Sequence, residues 1–190
     1  MRLFVAVEID QSVTQALADF SAALRRKAQA LAPRARIGWV SPEQLHVTSR
    51  FIGEVNDEKA ASVAGALLEQ LAVQPFDLVM QGAGAFPERG APRVLWAGIA
   101  AGREGLVAVE AEISARLALC GIEREERAYH PHVTLARVRE PAGLRPAALF
   151  ATLADRRFGT SRVEAITLFQ SRTSPKGAVY TPLHRTPLRQ

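Results

Sequence analysis

Apolar and polar positions alternate from the start of the chain. Leu3, Val5, Val7 and Ile9 interleave with Phe4, Ala6 and Glu8, the period of two that lays one face of a strand against a core. The period then becomes helical, with Val13, Leu17, Phe20, Leu24 and Leu31 on one side and a capping box of Ser12 with Gln15 at its start. Beyond Pro33, Ile37 to Val40 reads as a short strand, Ser41-Pro42 as a turn, and Leu45 to Ile52 as a strand that Gly53 ends. A second helix is predicted from about Asp57 to Leu71, burying Val63, Leu67, Leu68 and Leu71. A strand Phe76 to Met80, a glycine-rich bend at Gly82 and Gly84, an exposed loop Pro87 to Arg93 and a strand Val94 to Ile99 complete this half.

The order of elements then begins again. Leu106, Val109, Ile113 and Leu117 mark a helix from roughly Arg103 to Cys120 with Gly121 as its C-terminal cap, and a strand starts at His132. A short helix near Pro146 to Ala154, a strand Val163 to Gln170, a polar loop Ser171 to Gly177 and a last strand Val179 to His184 close the chain. The expected fold is therefore α+β: a bilobal, pseudo-twofold duplication with antiparallel sheets lining a central cleft and helices outside. No linker separates the halves, so residues 1–190 are expected to form a single domain of two intertwined lobes.

Composition narrows the setting. The chain has 190 residues, 48% of them hydrophobic, enough for one core but not for two large domains. The apolar run Leu3 to Val7 is shorter than a secretory h-region, and nothing approaches the roughly 20 apolar residues of a membrane-spanning helix. A cytoplasmic protein without membrane or obligate protein partner is expected. The single cysteine, Cys120, sits at helical spacing from Leu117 and Ile113 and reads as a core filler. A net charge of +5 favours a polyanionic partner. Only Lys27, Lys59 and Lys176 are lysines, and the remaining basic residues are arginines, whose planar forks suit phosphate oxygens.

The repeat carries its own signature: His46-Val47-Thr48 in the first half and His132-Val133-Thr134 in the second. On a strand, residues i and i+2 leave the same face about 7 Å apart, so each histidine and its threonine project together. Were the halves related by a twofold axis, the histidines would reach opposite sides of one ligand. That suits in-line displacement at phosphorus. One imidazole takes a proton from the attacking water and the other gives one to the departing oxygen, while the threonine hydroxyls donate to the non-bridging oxygens. No metal or cofactor is needed for this chemistry.

The paired H-x-T motifs resemble those of the 2H phosphoesterase superfamily, and within it the prokaryotic RNA 2′,3′-cyclic phosphodiesterases, historically described as 2′-5′ RNA ligases. The similarity runs through Arg2 to Val7, His46 to Glu54, Pro92 to Trp96, His130 to Arg137 and Tyr180 to Leu183. Ser49 departs from it, standing where the second motif has Leu135, and so does Thr186, where a tryptophan is common. The resemblance implies a basic central groove and RNA ends or nucleotides with a 2′,3′-cyclic phosphate as partners. It makes His46 the general acid that protonates the 3′-oxygen and His132 the general base that activates water, leaving a 2′-phosphate. The same site run backward would join RNA ends through a 2′-5′ bond.

Arg137 matches a family arginine and is the candidate phosphate clamp. Strict alternation from His132 sends it to the opposite face, so the assignment requires a bulge, a twist or the end of the strand. By the same parity Phe51 is assigned to the core and left out of the site. His130 and His132 with Glu125 and Glu126 form an alternative, a metal site. A nucleotide-binding module without catalysis is the other alternative. Gly82-Ala83-Gly84 lacks the lysine of a phosphate loop, His184 reads as surface or structural, and the Arg172 to Lys176 loop reads as an exposed basic turn.

Overall fold

A computed structural model describes residues 1–151, 153–174 and 177–189. The chain runs β1 (Arg2–Glu8), α1 (Gln11–Leu31), β2 (Arg36–Trp39), a single 3-10 turn Pro42–Gln44, β3 (His46–Glu54), α2 (Asp57–Ala66), β4 (Phe76–Phe86), β5 (Val94–Ala101), α3 (Arg103–Leu119), β6 (Val133–Glu140), α4 (Pro146–Phe150), β7 (Arg157–Val163), β8 (Ala165–Ser174) and β9 (Gly177–Pro187). The parts of the expected helix at residue 152 and of the expected loop at residues 175 and 176 lie outside the described residues.

The strands form one curled antiparallel sheet in the order β7-β4-β5-β6-β3-β1-β8-β9, with β2 extending β6. The order is symmetric about its middle. On one side of the β6–β3 junction lie β5, β4 and β7; on the other lie β1, β8 and β9. The two expected sheets are both present and join through a single residue pair, Val47 with Val133. The chain's first and last strands build one side and its middle builds the other. Helix α1 leaves β1 yet packs against β7, and α3 leaves β5 yet packs against β3. Each helix thus covers the sheet of the opposite half.

One face of the sheet is dry. Leu3, Val5 and Val7 of β1, Val47 of β3, Leu95 and Ala97 of β5, and Val133 and Leu135 of β6 meet Val13, Leu17, Phe20 and Leu24 of α1 and Leu106, Val109, Ile113 and Leu117 of α3. Burying each such leucine or valine contributes about 1.5–3 kcal/mol against chain entropy. The other face is left for chemistry.

Several local expectations change. Ser12 lies inside the first turn of α1, not at its cap; Asp10 precedes the helix, its carboxylate accepts from the Arg162 backbone N–H at 2.9 Å, and Gln15 bonds Asp19. Leu31 is 48% exposed at the helix end. The second helix stops at Ala66, because the Leu71 N–H donates to Pro187 O and Gln70 to Leu188 O, tying this stretch to the C-terminal segment. Leu67 and Leu71 stay buried, whereas Leu68 is 61% exposed. A strand that the sequence pattern misses, β7, pairs with β4 from Phe76↔Val163 to Gln81↔Arg157. Cys120 is half-buried, with Sγ 3.5 Å from Ser62 O, and lies outside the buried core that its helical spacing suggested.

The expected bend at Gly82 and Gly84 is instead the continuation of β4, which runs on to Phe86 through an irregularity between Met80 and Ala83. Gly82 takes a positive φ of 85° there. Gly84 has a different reason: a Cβ at this position would stand 2.5 Å from the Trp96 indole. The ring lies directly over the glycine. Gly84→Ala should therefore force Trp96 off its seat and cost about 1–3 kcal/mol by overpacking, read as a lowered urea midpoint with an unchanged slope.

Candidate active site

Val47 and Val133 face the core, so the residues on either side of each face the open side of the sheet. Because β3 and β6 are antiparallel and pair at these two valines, His46 stands beside Thr134 and Thr48 beside His132. The four motif side chains therefore form a square on the curled face, with the imidazoles on one diagonal.

Both strands then break alternation at the same motif position. In the β1–β3 ladder Val5 pairs with Arg50 and Ala6 with Thr48, so Ser49 has no partner; in the β5–β6 ladder Leu95 pairs with Ala136 and Trp96 with Thr134, so Leu135 has none. Burial follows the same bulge twice. His46 to Phe51 and His132 to Arg137 each run half-buried, buried, half-buried, buried, buried, exposed. Two successive residues point inward, and everything beyond them changes face.

This resolves the parity problem at Arg137, which leaves the face of His132 and Thr134. It also overturns the assignment of Phe51 to the core. Phe51 is 57% exposed on the face of His46 and Thr48, at the position equivalent to Arg137. Arg137 makes no ion pair among the described residues, and its β2 neighbour is Gly38, which has no side chain to crowd it.

The imidazoles are oriented alike. His46 Nδ1 is 2.7 Å from Gln44 O and His132 Nδ1 is 2.7 Å from His130 O. A carbonyl only accepts, so each Nδ1 carries the hydrogen, and Nε2 is the nitrogen turned toward a ligand. The two differ at Nε2. That of His46 lies 3.0 Å from Thr48 Oγ1, whereas that of His132 has no protein partner among the described residues.

Aromatic rings wall both histidines. Phe4 lies 5.1 Å from His46 between ring centroids, Tyr180 meets the same imidazole edge-on at 5.4 Å, and Phe86 meets His132 edge-on at 5.2 Å. Burial among these rings pushes both imidazole pKa values below the ordinary histidine range, against the raising effect of the carbonyl hydrogen bonds. The Arg137 charge lowers both further, and His132 also lowers His46. The two rings and the guanidinium therefore share one field. Neutral imidazoles stand beside a fixed cation, a setting that favours an anion.

Tyr129 escapes the sequence pattern because it lies in an irregular stretch. Its hydroxyl donates to Thr48 O at 3.0 Å, tying the approach to the second motif to the first; burial raises its pKa well above the usual phenol range. Arg50, whose side chain is 4% exposed, anchors the same approach through Glu123 O and lies 3.8 Å from Glu110. Among the described residues no three His, Cys, Asp or Glu side chains cluster as a metal site would require, so His130, His132, Glu125 and Glu126 are not brought together.

The fold and the paired His-Thr motifs define a 2H phosphoesterase. A sequence model of the 2′-5′ RNA ligase superfamily matches residues 7–175, and the chain belongs to that family. It is 33% identical over 183 residues to an RNA 2′,3′-cyclic phosphodiesterase of Archaeoglobus fulgidus, covering 96% of this chain and 98% of that protein. Its identity to the Thermus thermophilus protein of the same name is 34% over 198 residues, covering 100% and 91%. A crystal structure of a Thermus thermophilus protein superposes with a TM-score of 0.80 at 31% identity over 100% of this chain and 98% of that one. Escherichia coli LigT complexed with 3′-AMP superposes at 0.74 with 26% identity, covering 100% and 98%. No helix is long and apolar enough to cross a membrane among the described residues.

If Arg137 depresses both imidazoles, Arg137→Gln should move the titration midpoints of His46 and His132 upward together, followed by NMR of the ring protons. In the unaltered protein both should titrate below the ordinary histidine value of about 6.5. The sign follows from charge: a nearby cation disfavours imidazolium, so its removal favours protonation.

Proposed function

We propose that this chain is an RNA 2′,3′-cyclic phosphodiesterase that opens a terminal cyclic phosphate to a 2′-phosphate, with His46 as general acid and His132 as general base. The observation that supports it most is the orientation of the two rings, each fixed through Nδ1 to a carbonyl two residues back, on the face that Arg137 shares.

In this reading His132 Nε2, free of protein partners among the described residues, takes a proton from water as the water oxygen bonds to phosphorus. The bond from phosphorus to the 3′-oxygen breaks, and His46 Nε2–H protonates that oxygen. Thr48 and Thr134 donate to the non-bridging oxygens, and Arg137 balances the added charge. The depressed His46 pKa fits the cycle. An anionic phosphate offsets Arg137 and restores the tendency of His46 to hold the proton that it must deliver.

No metal or cofactor enters these steps. The reading takes residues 1–190 as one working unit of two intertwined lobes, needs no obligate protein partner and assumes a cytoplasmic setting. RNA ends and smaller nucleotides with the same cyclic end both fit it. A 5′-hydroxyl of a second RNA end attacking in place of water gives a 2′-5′ bond by the same proton transfers, and because a catalyst speeds both directions the reading includes this joining and its reversal.

His46→Ala and His132→Ala should each lower kcat on a nucleoside 2′,3′-cyclic phosphate by about 10²–10⁴-fold while circular dichroism stays native. EDTA should leave the rate unchanged, and the product should be the 2′-phosphate isomer by phosphorus NMR. Full activity in either folded variant removes the proposed pair, and a 3′-phosphate product reverses the leaving-group assignment.

A further inference from the structure

The bulge at Leu135 does more than turn Arg137 toward the histidines. Beyond it, alternation resumes with Arg137 exposed, Val138 buried and Arg139 exposed, so Arg139 leaves the same face one step farther along β6. A second irregularity, between Arg36 and Ile37 in the β2–β6 ladder, sets Arg36 opposite Glu140 and leaves Arg139 unpaired in the register. Glu140 is taken by Arg36 at 3.4 Å, an exposed pair. Arg139 makes no ion pair among the described residues, and neither does Arg137.

His132, Thr134, Arg137 and Arg139 thus form a file on one strand face, its last two members uncompensated cations about 7 Å apart. A single cyclic phosphate held between the histidines engages Arg137 and leaves Arg139 with nothing to neutralise. Its spacing from Arg137 suits the next phosphate of a ribose-phosphate backbone.

Resting on the reaction proposed above, we infer that Arg139 is a substrate-selecting residue that binds the phosphate on the 5′ side of the terminal nucleotide. The favoured substrate class is then an RNA 3′ end, or a nucleotide carrying a 5′-phosphate as well as the cyclic one, in preference to a nucleoside cyclic phosphate alone. The Phe51 side of the square offers no such cation: its equivalent of Arg137 is aromatic, and two positions on stands Gly53. The backbone is therefore drawn along β6 and not along β3.

The test compares kcat/KM for a nucleoside 2′,3′-cyclic phosphate, the same compound with a 5′-phosphate, and a short oligoribonucleotide ending in the cyclic phosphate. The unaltered protein should prefer the two phosphorylated substrates. Arg139→Ala should shrink that preference about tenfold, as expected for loss of one charge-assisted contact, and lower the salt slope for the oligonucleotide by about one. Arg139→Lys should restore part of it. An unaltered preference in Arg139→Ala, or no preference in the unaltered protein, overturns the inference. Salt-dependent binding of a 2′-phosphate-ended oligonucleotide, by fluorescence anisotropy, reads the same contact without turnover. Failure of hydrolysis together with an Arg139-dependent salt slope would count against the reaction and for the contact.

Discussion

The candidate site depends on one backbone constraint: β3 and β6 share a single residue pair, Val47 with Val133, and each bulges two residues later. Pairing at the valines forces the flanking histidines and threonines onto one face and sets each histidine beside the threonine of the other strand. Bulging ends the strict alternation before it can carry residue 137 into the core. A longer ladder between β3 and β6 would hold the strands side by side. A site without bulges would keep the imidazoles and lose the guanidinium. Pairing and bulges together place two bases and a fixed cation on one floor.

That floor resists further positive charge. Two imidazoles and an arginine within mutual influence, walled by Phe4, Tyr180 and Phe86, disfavour protonation of either ring. The effect on folding has a definite sign. A histidine whose folded pKa is depressed binds fewer protons in the native state than in the unfolded chain, so native stability falls as pH drops through the ordinary histidine range. The compensation comes from a ligand. A phosphate anion opposes the Arg137 charge, which adds to burial in keeping the rings neutral, so a bound anion favours protonation of the rings.

Much of this is legible in the residues. The two H-x-T motifs, the helices α1 and α3, and the repeated order of elements all follow from apolar periodicity and from a tripeptide pattern that occurs twice. The rest is hidden for physical reasons. β7 reads Arg-Phe-Gly-Thr-Ser-Arg-Val and buries Ser161, whose hydroxyl accepts from the Asp10 N–H, so its inward face does not look apolar. The end of α2 is set by a distant backbone partner at Pro187. A bulge is a property of the ladder between two strands, and one strand's sequence does not announce it; hence parity alone sends Phe51 to the core and puts Arg137 out of phase. Tyr129 lies in irregular chain, where no periodicity marks it.

The duplication explains the scaffold, and its decay makes the two halves of the candidate site unlike. A perfect twofold site would bind a phosphate equally well in either sense and give neither histidine a fixed role. Here Thr48 engages His46 Nε2 while His132 Nε2 has no protein partner among the described residues, Ser49 occupies the inward bulge position that Leu135 fills in the other half, and Phe51 stands where the other half has Arg137. Each difference breaks the equivalence of the two halves. A ligand that is anionic at one end and aromatic at the other gains most by turning its charge toward β6 and its ring toward β3, since a guanidinium and a phenyl ring reward opposite chemistry. The asymmetry of the candidate site thus arises from side chains that differ on a backbone pattern that repeats.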